Sequence, residues 1–201
     1  MKEIWIIIGV MFLSYMMGNI SPSTLIAKSR GIDIKKAGSG NAGTTNALRV
    51  LGKKAAILTL LIDVGKGFLA VTIAMYLLPY DIAVYSALAV FFGHIWPVIY
   101  KFKGGKGVAT AFGASLQVDW RIGLIALGVF ILIVLISKMV SLGSMLAAFS
   151  FFVATIFLSK PFIICSAIMV GTVLIKHRSN MVRLFKGEEN KISFKKKDGS
   201  K

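Results

Sequence analysis

Residues 55–78 read AAILTLLIDVGKGFLAVTIAMYLL, with Asp63 and Lys66 as the sole charges. A bilayer's hydrocarbon core is about 30 Å thick, and a helix rising about 1.5 Å per residue needs about 20 apolar residues to cross it. This stretch is long enough and apolar enough to do so. Asp63 and Lys66 stand three apart on one helical face, and a lone charge inside a membrane is costly. The spacing predicts a structural pair turned toward the interior of a helix bundle.

Working outward, the stretches 4–27, 82–100, 122–137, 139–159 and 162–175 have the same character. Polar punctuation separates them at Pro79-Tyr80-Asp81, Asp119-Trp120-Arg121, Lys138 and Lys160-Pro161. Residues 108–118 are apolar but make only half a span. If that segment crosses, the chain has seven spans; if it is re-entrant, there are six membrane helices and a half helix, with both termini on one side. The expected fold class is all-α, a polytopic integral membrane helical bundle forming a single membrane domain over residues 1–201.

Composition agrees. The 201 residues are 56% hydrophobic with a mean hydropathy of +0.79, above the roughly 45–50% apolar content of soluble domains. Lys and Arg number 24 against 8 Asp and Glu, for a net charge of +16. In a soluble protein that excess would suggest nucleic acid, but no basic helix or aromatic-interleaved basic patch is present, and no nucleic-acid partner is expected. With seven spans, every Lys and Arg except Lys2, Lys66, Arg121 and Lys160 falls in 28–54, 101–107, at 138 or in 176–201. Cationic loops stay inside, so the N-terminus is expected outside and the C-terminus in the cytoplasm, with anionic membrane lipid as a partner. The run 4–20 is not expected to be a signal peptide, because the basic cluster follows it. Cys165 is the one cysteine, so no disulfide can form within the chain.

Three of the inward loops carry donors suited to phosphate. In 28–54, Gly38-Ser39-Gly40-Asn41-Ala42-Gly43-Thr44-Thr45-Asn46 is entered through Lys35 and Lys36 and followed by Arg49. Glycines let backbone N–H groups converge on an anion, and Ser, Asn and Thr add donors. The formal G-x-G-x-x-G match is not a dinucleotide site, because no strand precedes it and Asp63 lies in a span. In 101–107, Lys103-Gly104-Gly105-Lys106-Gly107 reads as an anion nest with two cations ahead of a helix N-terminus, and it lacks the P-loop order. In 176–191, His177 and Asn180 are three apart and Lys176, Asn180 and Arg183 fall along neighbouring helix faces, so several donors can point one way, and His177 can exchange protons near neutral pH. His94, a turn before Pro97, reads as a packing histidine or a member of a polar site near the inner membrane edge. The tail 192–201 is simple basic sequence suited to touching lipid.

Absences narrow the chemistry. Neither histidine has an Asp five positions later, as the soluble-facing glycerolipid acyltransferases require. Carboxylates are too few for a two-metal phosphotransferase, and two histidines with one cysteine make a zinc site improbable, so no metal or cofactor is expected.

Taken in order, these motifs resemble the bacterial acyl-phosphate:glycerol-3-phosphate acyltransferases. The resemblance runs through Gly38 to Asn46 with Arg49, Gly93-His94 with Pro97, Lys103 to Thr110, and His177-Arg178-Ser179-Asn180 with Arg183-Leu184, Gly187, Glu189 and Lys191. It covers residues 1 to 191 and includes the Asp63 to Lys66-Gly67 spacing. It implies seven transmembrane helices, with 108–118 as a crossing, and motifs facing the cytoplasm of a bacterial inner membrane. It also implies acyl phosphate and glycerol 3-phosphate as substrates, with no obligate protein partner evident.

An acyl phosphate is already an activated electrophile, so such an enzyme needs two adjacent phosphate sites more than covalent help. By donor density, Ser39, Gly40, Asn41, Gly43, Thr45, Asn46 and the Gly104-Gly105-Lys106-Gly107 nest are expected to hold phosphate. Arg49 and Lys103 are candidates for the second phosphate, and Arg178 completes the pocket. Ser39, Lys106, His177 and Asn180 are the expected catalytic residues, with His177 the one conventional base and the donor phosphate the alternative proton acceptor. Two other classes fit less well. An organic-phosphate transporter should show binding charges near mid-membrane and inverted repeats, and a lipid-binding scaffold has no need of Ser, Asn and Thr among the glycines.

Overall fold

The computed structural model describes residues 2–192, which are all helix, turn and loop, with no strand among them. The tail expected to touch lipid lies outside the described residues from 193 onward. Eleven α-helices follow in order: α1 (Lys2–Gly18), α2 (Pro22–Ser29), α3 (Thr44–Leu51), α4 (Lys53–Leu77), α5 (Tyr80–Ala83), α6 (Tyr85–Ile95), α7 (Val108–Val118), α8 (Trp120–Ser137), α9 (Val140–Leu158), α10 (Ile163–Lys176) and α11 (Arg178–Phe185). Short 3-10 turns at Val98–Tyr100 and Lys160–Phe162 continue α6 and lead into α10.

Helix α4 has 25 residues, a rise of roughly 37 Å, enough to cross a bilayer. Four helical runs are long and apolar enough to do this singly: α4, Tyr80–Tyr100, α8 and α9. Two bent pairs, α1 with α2 at 42° and Lys160–Lys176 with α11 at 56°, raise the number to six. The stretch expected to run unbroken over 4–27 is therefore two helices. Pro22, which has no N–H, starts the second, and Asn19 turns its side-chain amide back to the Tyr15 carbonyl at 2.7 Å. Helix α7 has 11 residues and rises roughly 16 Å. It ends at Asp119, which caps α8 by accepting from the Arg121 backbone N–H at 3.0 Å and pairs with the Arg121 guanidinium at 2.7 Å.

Large apolar side chains such as Trp5, Phe12, Leu61, Leu135 and Phe157 stand exposed around the outside, the arrangement expected of a bundle whose solvent is lipid. Between helices in lipid, close van der Waals approach replaces the hydrophobic effect, and small residues permit it. Gly18 of α1 meets Gly93 of α6, Gly67 of α4 meets the Thr110 and Ala114 backbone of α7, and Gly113 of α7 meets the Val64 backbone of α4, each so close that a Cβ would overlap the facing backbone. The core beyond them is built from Val71, Phe91, Ile95, Ala114, Ile122, Phe151, Phe162 and Met169. These contacts fix α4, α6, α7, α9 and α10 around one end of the bundle, where the three cationic loops meet.

Candidate active site

The three loops, far apart in sequence, line one cavity of about 1410 Å³. Its polar end is formed by Ser39, Asn41, Gly43 to Asn46 and Arg49, by Lys106 to Ala109, and by His177, Asn180, Arg183 and Glu189. Its apolar wall continues along α4, α7, α8, α9 and α10 through residues such as Phe68, Phe112, Phe130, Ala147, Phe151 and Val170.

The first loop is held from within. Ile34, Ala42, Ala47 and Leu51 are buried together against Ala27 and Ala55, anchoring it to α2 and α4. Asn46, fully buried, donates its amide to the carbonyls of Ile34 (3.3 Å) and Ala37 (3.0 Å) and accepts from the Ser39 N–H (2.8 Å). Its side-chain groups are thus spent on the loop, so Asn46 shapes the loop rather than contributing a free donor to the cavity. Gly40 adopts φ +69° and packs against the Lys35 carbonyl without lining the cavity. Gly43 precedes α3, whose Thr44 and Thr45 line the cavity with N–H groups outside the helix's own ladder and a buried, unpartnered Thr44 hydroxyl.

The second loop departs from the expected nest. The Gly104 N–H donates to the Ile95 carbonyl and the Gly105 N–H to the His94 carbonyl, both at 3.1 Å. A Cβ on Gly105 would overlap the His94 ring. These two glycines therefore permit close packing on the end of α6 and offer no free donor. Lys101 and Phe102 take positive φ values of 53° and 60°, a strained pair just ahead of the loop. What the loop delivers is Lys106, and beside it Gly107 (φ +85°) opening α7. Lys103 is exposed and outside the cavity lining, as is Arg178 on α11, so neither is brought together with Lys106 and Arg49 there.

The third loop supplies a hydrogen-bonded chain. Lys106 donates to the Asn180 carbonyl oxygen, the Asn180 amide donates to Glu189 Oε1 at 2.9 Å, and Arg183 Nε donates to Glu189 Oε2 at 2.9 Å. Burial alone would raise the Glu189 carboxyl, but Asn180 and Arg183 hold it below its ordinary value. Burial lowers the Lys106 ammonium to about 8, aided by the Arg183 charge. His177 presents Nδ1 to the Val173 carbonyl at 2.8 Å, which places its proton there and leaves Nε2 as the lone-pair nitrogen. Burial, then the Lys106 charge, push His177 down to about 4, so it is a neutral acceptor at physiological pH rather than a group titrating there.

Two site residues, Glu189 and Ser141, were missing from the expected set, and Arg183 was expected only as one of several donors. Arg183 and Glu189 belong to the motif around His177, yet their ion pair at 2.9 Å depends on the chain folding back after Gly187. Ser141 opens α9 with a buried hydroxyl on the cavity wall, beside the Glu189 carboxylate that it helps to hold ionised. Its sequence signal is faint: a small polar residue in the first turn of an apolar helix, just after Lys138.

The family model described as glycerol-3-phosphate acyltransferase matches residues 8–187. A glycerol-3-phosphate acyltransferase of Prochlorococcus marinus (strain MIT 9215) is 43% identical over 191 residues, 92% of this chain and 96% of that protein. One from Thermoanaerobacter sp. (strain X514) is 42% identical over 186 residues, 91% and 94% respectively. Among solved structures, PlsY (YgiH), an integral membrane glycerol 3-phosphate acyltransferase, superposes in its glycerol 3-phosphate form with a TM-score of 0.88 at 33% identity over 96% of each chain. Its lysophosphatidic acid form gives 0.85 at 34%. The long apolar helices, the convergent loops and these likenesses agree that the chain is an integral membrane protein of the glycerol-3-phosphate acyltransferase family.

Proposed function

We propose that the chain transfers an acyl group from acyl phosphate to the sn-1 hydroxyl of glycerol 3-phosphate, giving lysophosphatidic acid and inorganic phosphate, the first acylation of phospholipid synthesis. The observation that carries this reading is a single cavity, cationic and rich in N–H donors at one end, whose wall turns largely apolar along α7, α8, α9 and α10. A phosphate head and an acyl tail need those two environments joined, and a carbonyl at the junction lies where an alcohol held by its own phosphate can reach it.

The first turns of α3 and α7, with Ser39, Arg49 and Lys106, favour negative charge at the polar end. Ser141, at the start of α9, and Arg183 add a second set of donors across from them. The hydroxyl oxygen of glycerol 3-phosphate attacks the acyl carbonyl, the bond from the carbonyl carbon to the phosphate oxygen breaks, and phosphate leaves with the electron pair. The hydroxyl proton goes to the departing phosphate or to His177 Nε2, the free nitrogen of a ring oriented by Val173. The N–H donors and Lys106 stabilise the oxyanion and leaving group as charge develops. His177→Gln with near-normal turnover assigns the proton to phosphate.

In the same reading α7 completes a seventh crossing, the N-terminus is outside, and the cavity opens at the cytoplasmic face of a bacterial inner membrane. Single introduced cysteines in the three loops should react with an impermeant reagent from one side only. The deciding experiment incubates purified protein with glycerol 3-phosphate and, in turn, acyl phosphate, acyl-CoA and acyl carrier protein. Lysophosphatidate with stoichiometric phosphate from acyl phosphate alone is expected; formation from a thioester donor, or no product, overturns the reading.

A further inference from the structure

Behind the second loop lies a polar cluster that the proposed chemistry does not use. Asp63, Lys66 and His94 are buried at 1%, 4% and 6% exposure, in the apolar interior where such groups are expensive unless compensated. Lys66 Nζ lies 3.1 Å from the Gly18 carbonyl and 2.6 Å from that of Ile20, holding the break between α1 and α2. It also lies 2.7 Å from Asp63 Oδ1 and 2.9 Å from His94 Nδ1. An ammonium has three N–H groups. Two go to the carbonyls and the third points to Asp63, whose Oδ1 also lies 3.3 Å from His94 Nδ1, so the ring is tied to both charged partners by its Nδ1 edge while its Nε2 edge faces Gly105.

That edge and the backbone beside it define where the second loop sits. The His94 ring fills the space a Cβ would need at Gly105, the His94 and Ile95 carbonyls take the Gly105 and Gly104 N–H groups, and Lys35 Nζ donates to the Gly104 carbonyl at 2.8 Å. The next residue is Lys106, whose ammonium reaches Asn180. Five separate pieces of chain, the segment carrying Lys35, the α1–α2 break, α4, the end of α6 and the loop, are thus tied at one point on the cavity's wall.

We propose that Asp63, Lys66 and His94 are positioning residues for Lys106, fixing its loop through the His94 ring stacked against Gly105. The role in turnover rests on the acyltransferase reading; the placement of the loop does not. In the full-length protein in phospholipid vesicles, His94→Ala is expected to lower kcat/KM for glycerol 3-phosphate by roughly a factor of ten or more, as misplacement of a site group does. His94→Asn, which keeps an acceptor for Lys66, should restore most of it, and the thermal midpoint of His94→Ala should stay near that of the parent. In a Lys106→Met background, His94→Ala should cost nothing further, because its effect runs through the missing ammonium. Multiplicative losses, a wild-type His94→Ala, or a loss that follows the unfolded fraction and resists His94→Asn would overturn the proposal.

A second readout needs no turnover. With Cys165→Ala and Lys106→Cys, the rate at which a charged thiol reagent modifies position 106 should change severalfold on adding His94→Ala and return toward the parent with His94→Asn. An unchanged rate refutes the positioning role even if the enzyme is active. A changed rate upholds the placement even if acyl phosphate is not the donor.

Discussion

The first and second loops look alike in sequence, each a run of glycines among cations, yet they serve the cavity in opposite ways. Around Gly43 the chain leaves the N–H groups of a helix start open toward the cavity. Around Gly104 and Gly105 the N–H groups are already bonded to the end of α6, and the glycines are there because a Cβ would strike His94 or the α6 backbone. Glycine permits both an anion nest and a close backbone contact, and composition alone does not separate the two. The decisive fact is where the backbone hydrogen bonds go.

The largest test of that contrast removes the one side chain the second loop delivers. Lys106→Met should lower kcat by about 10²–10³, the usual loss for a donor aimed at developing charge. Steady-state assays with glycerol 3-phosphate check it, and parity with wild type would make the second loop a mere packing element. Next, Asn46→Ala strips the first loop of its internal brace. Leaving the Ser39 N–H and two carbonyls without partners should destabilise the protein by about 1–3 kcal/mol, read as a lowered thermal midpoint. If the midpoint holds while KM rises, Asn46 binds substrate directly.

A smaller, pH-dependent effect follows from Lys106, whose ammonium is lowered to about 8. It is charged below that pH and loses its charge as pH rises through it. Accordingly kcat/KM should fall by up to about tenfold per pH unit on the alkaline side, and Lys106→Arg, which stays charged, should move that limb upward. His177, neutral above about 4, should contribute no inflection near its ordinary value of 6.5. The smallest effects belong to exposed cations outside the cavity. Lys103→Ala and Arg178→Ala should each change kcat/KM by less than about threefold, as surface substitutions do. A tenfold rise in KM for either would restore the second loop, or α11, as a phosphate grip.

Much of this was legible in the chain. Spans are readable because lipid tolerates long apolar stretches and little else, so the run around Asp63 stands out without any partner being known. The phosphate-suited loops were readable because donors and cations cluster within a few residues. Ser141 was not, since nothing near it in sequence indicates that α9 starts beside the loops. The occupied Gly104 and Gly105 N–H groups were hidden for a related reason: their acceptors, Ile95 and His94, lie nine and eleven residues away across a turn. His94 admitted two readings, packing or polar site. The structure gives it features of both, a buried ring that touches Lys66 and Gly105 and also borders the cavity.

After Gly187 the chain folds back so that Glu189 braces Asn180 and Arg183 while the Ile192 N–H reaches the Lys138 carbonyl at 2.8 Å. Ile192, the first residue of the stretch that read as a basic tail, thus forms part of the cavity's rim. Trimming the chain at Gly187, or fusing a bulky tag directly behind Ile192, would therefore act as an inhibitor of the site rather than as a neutral handle for purification.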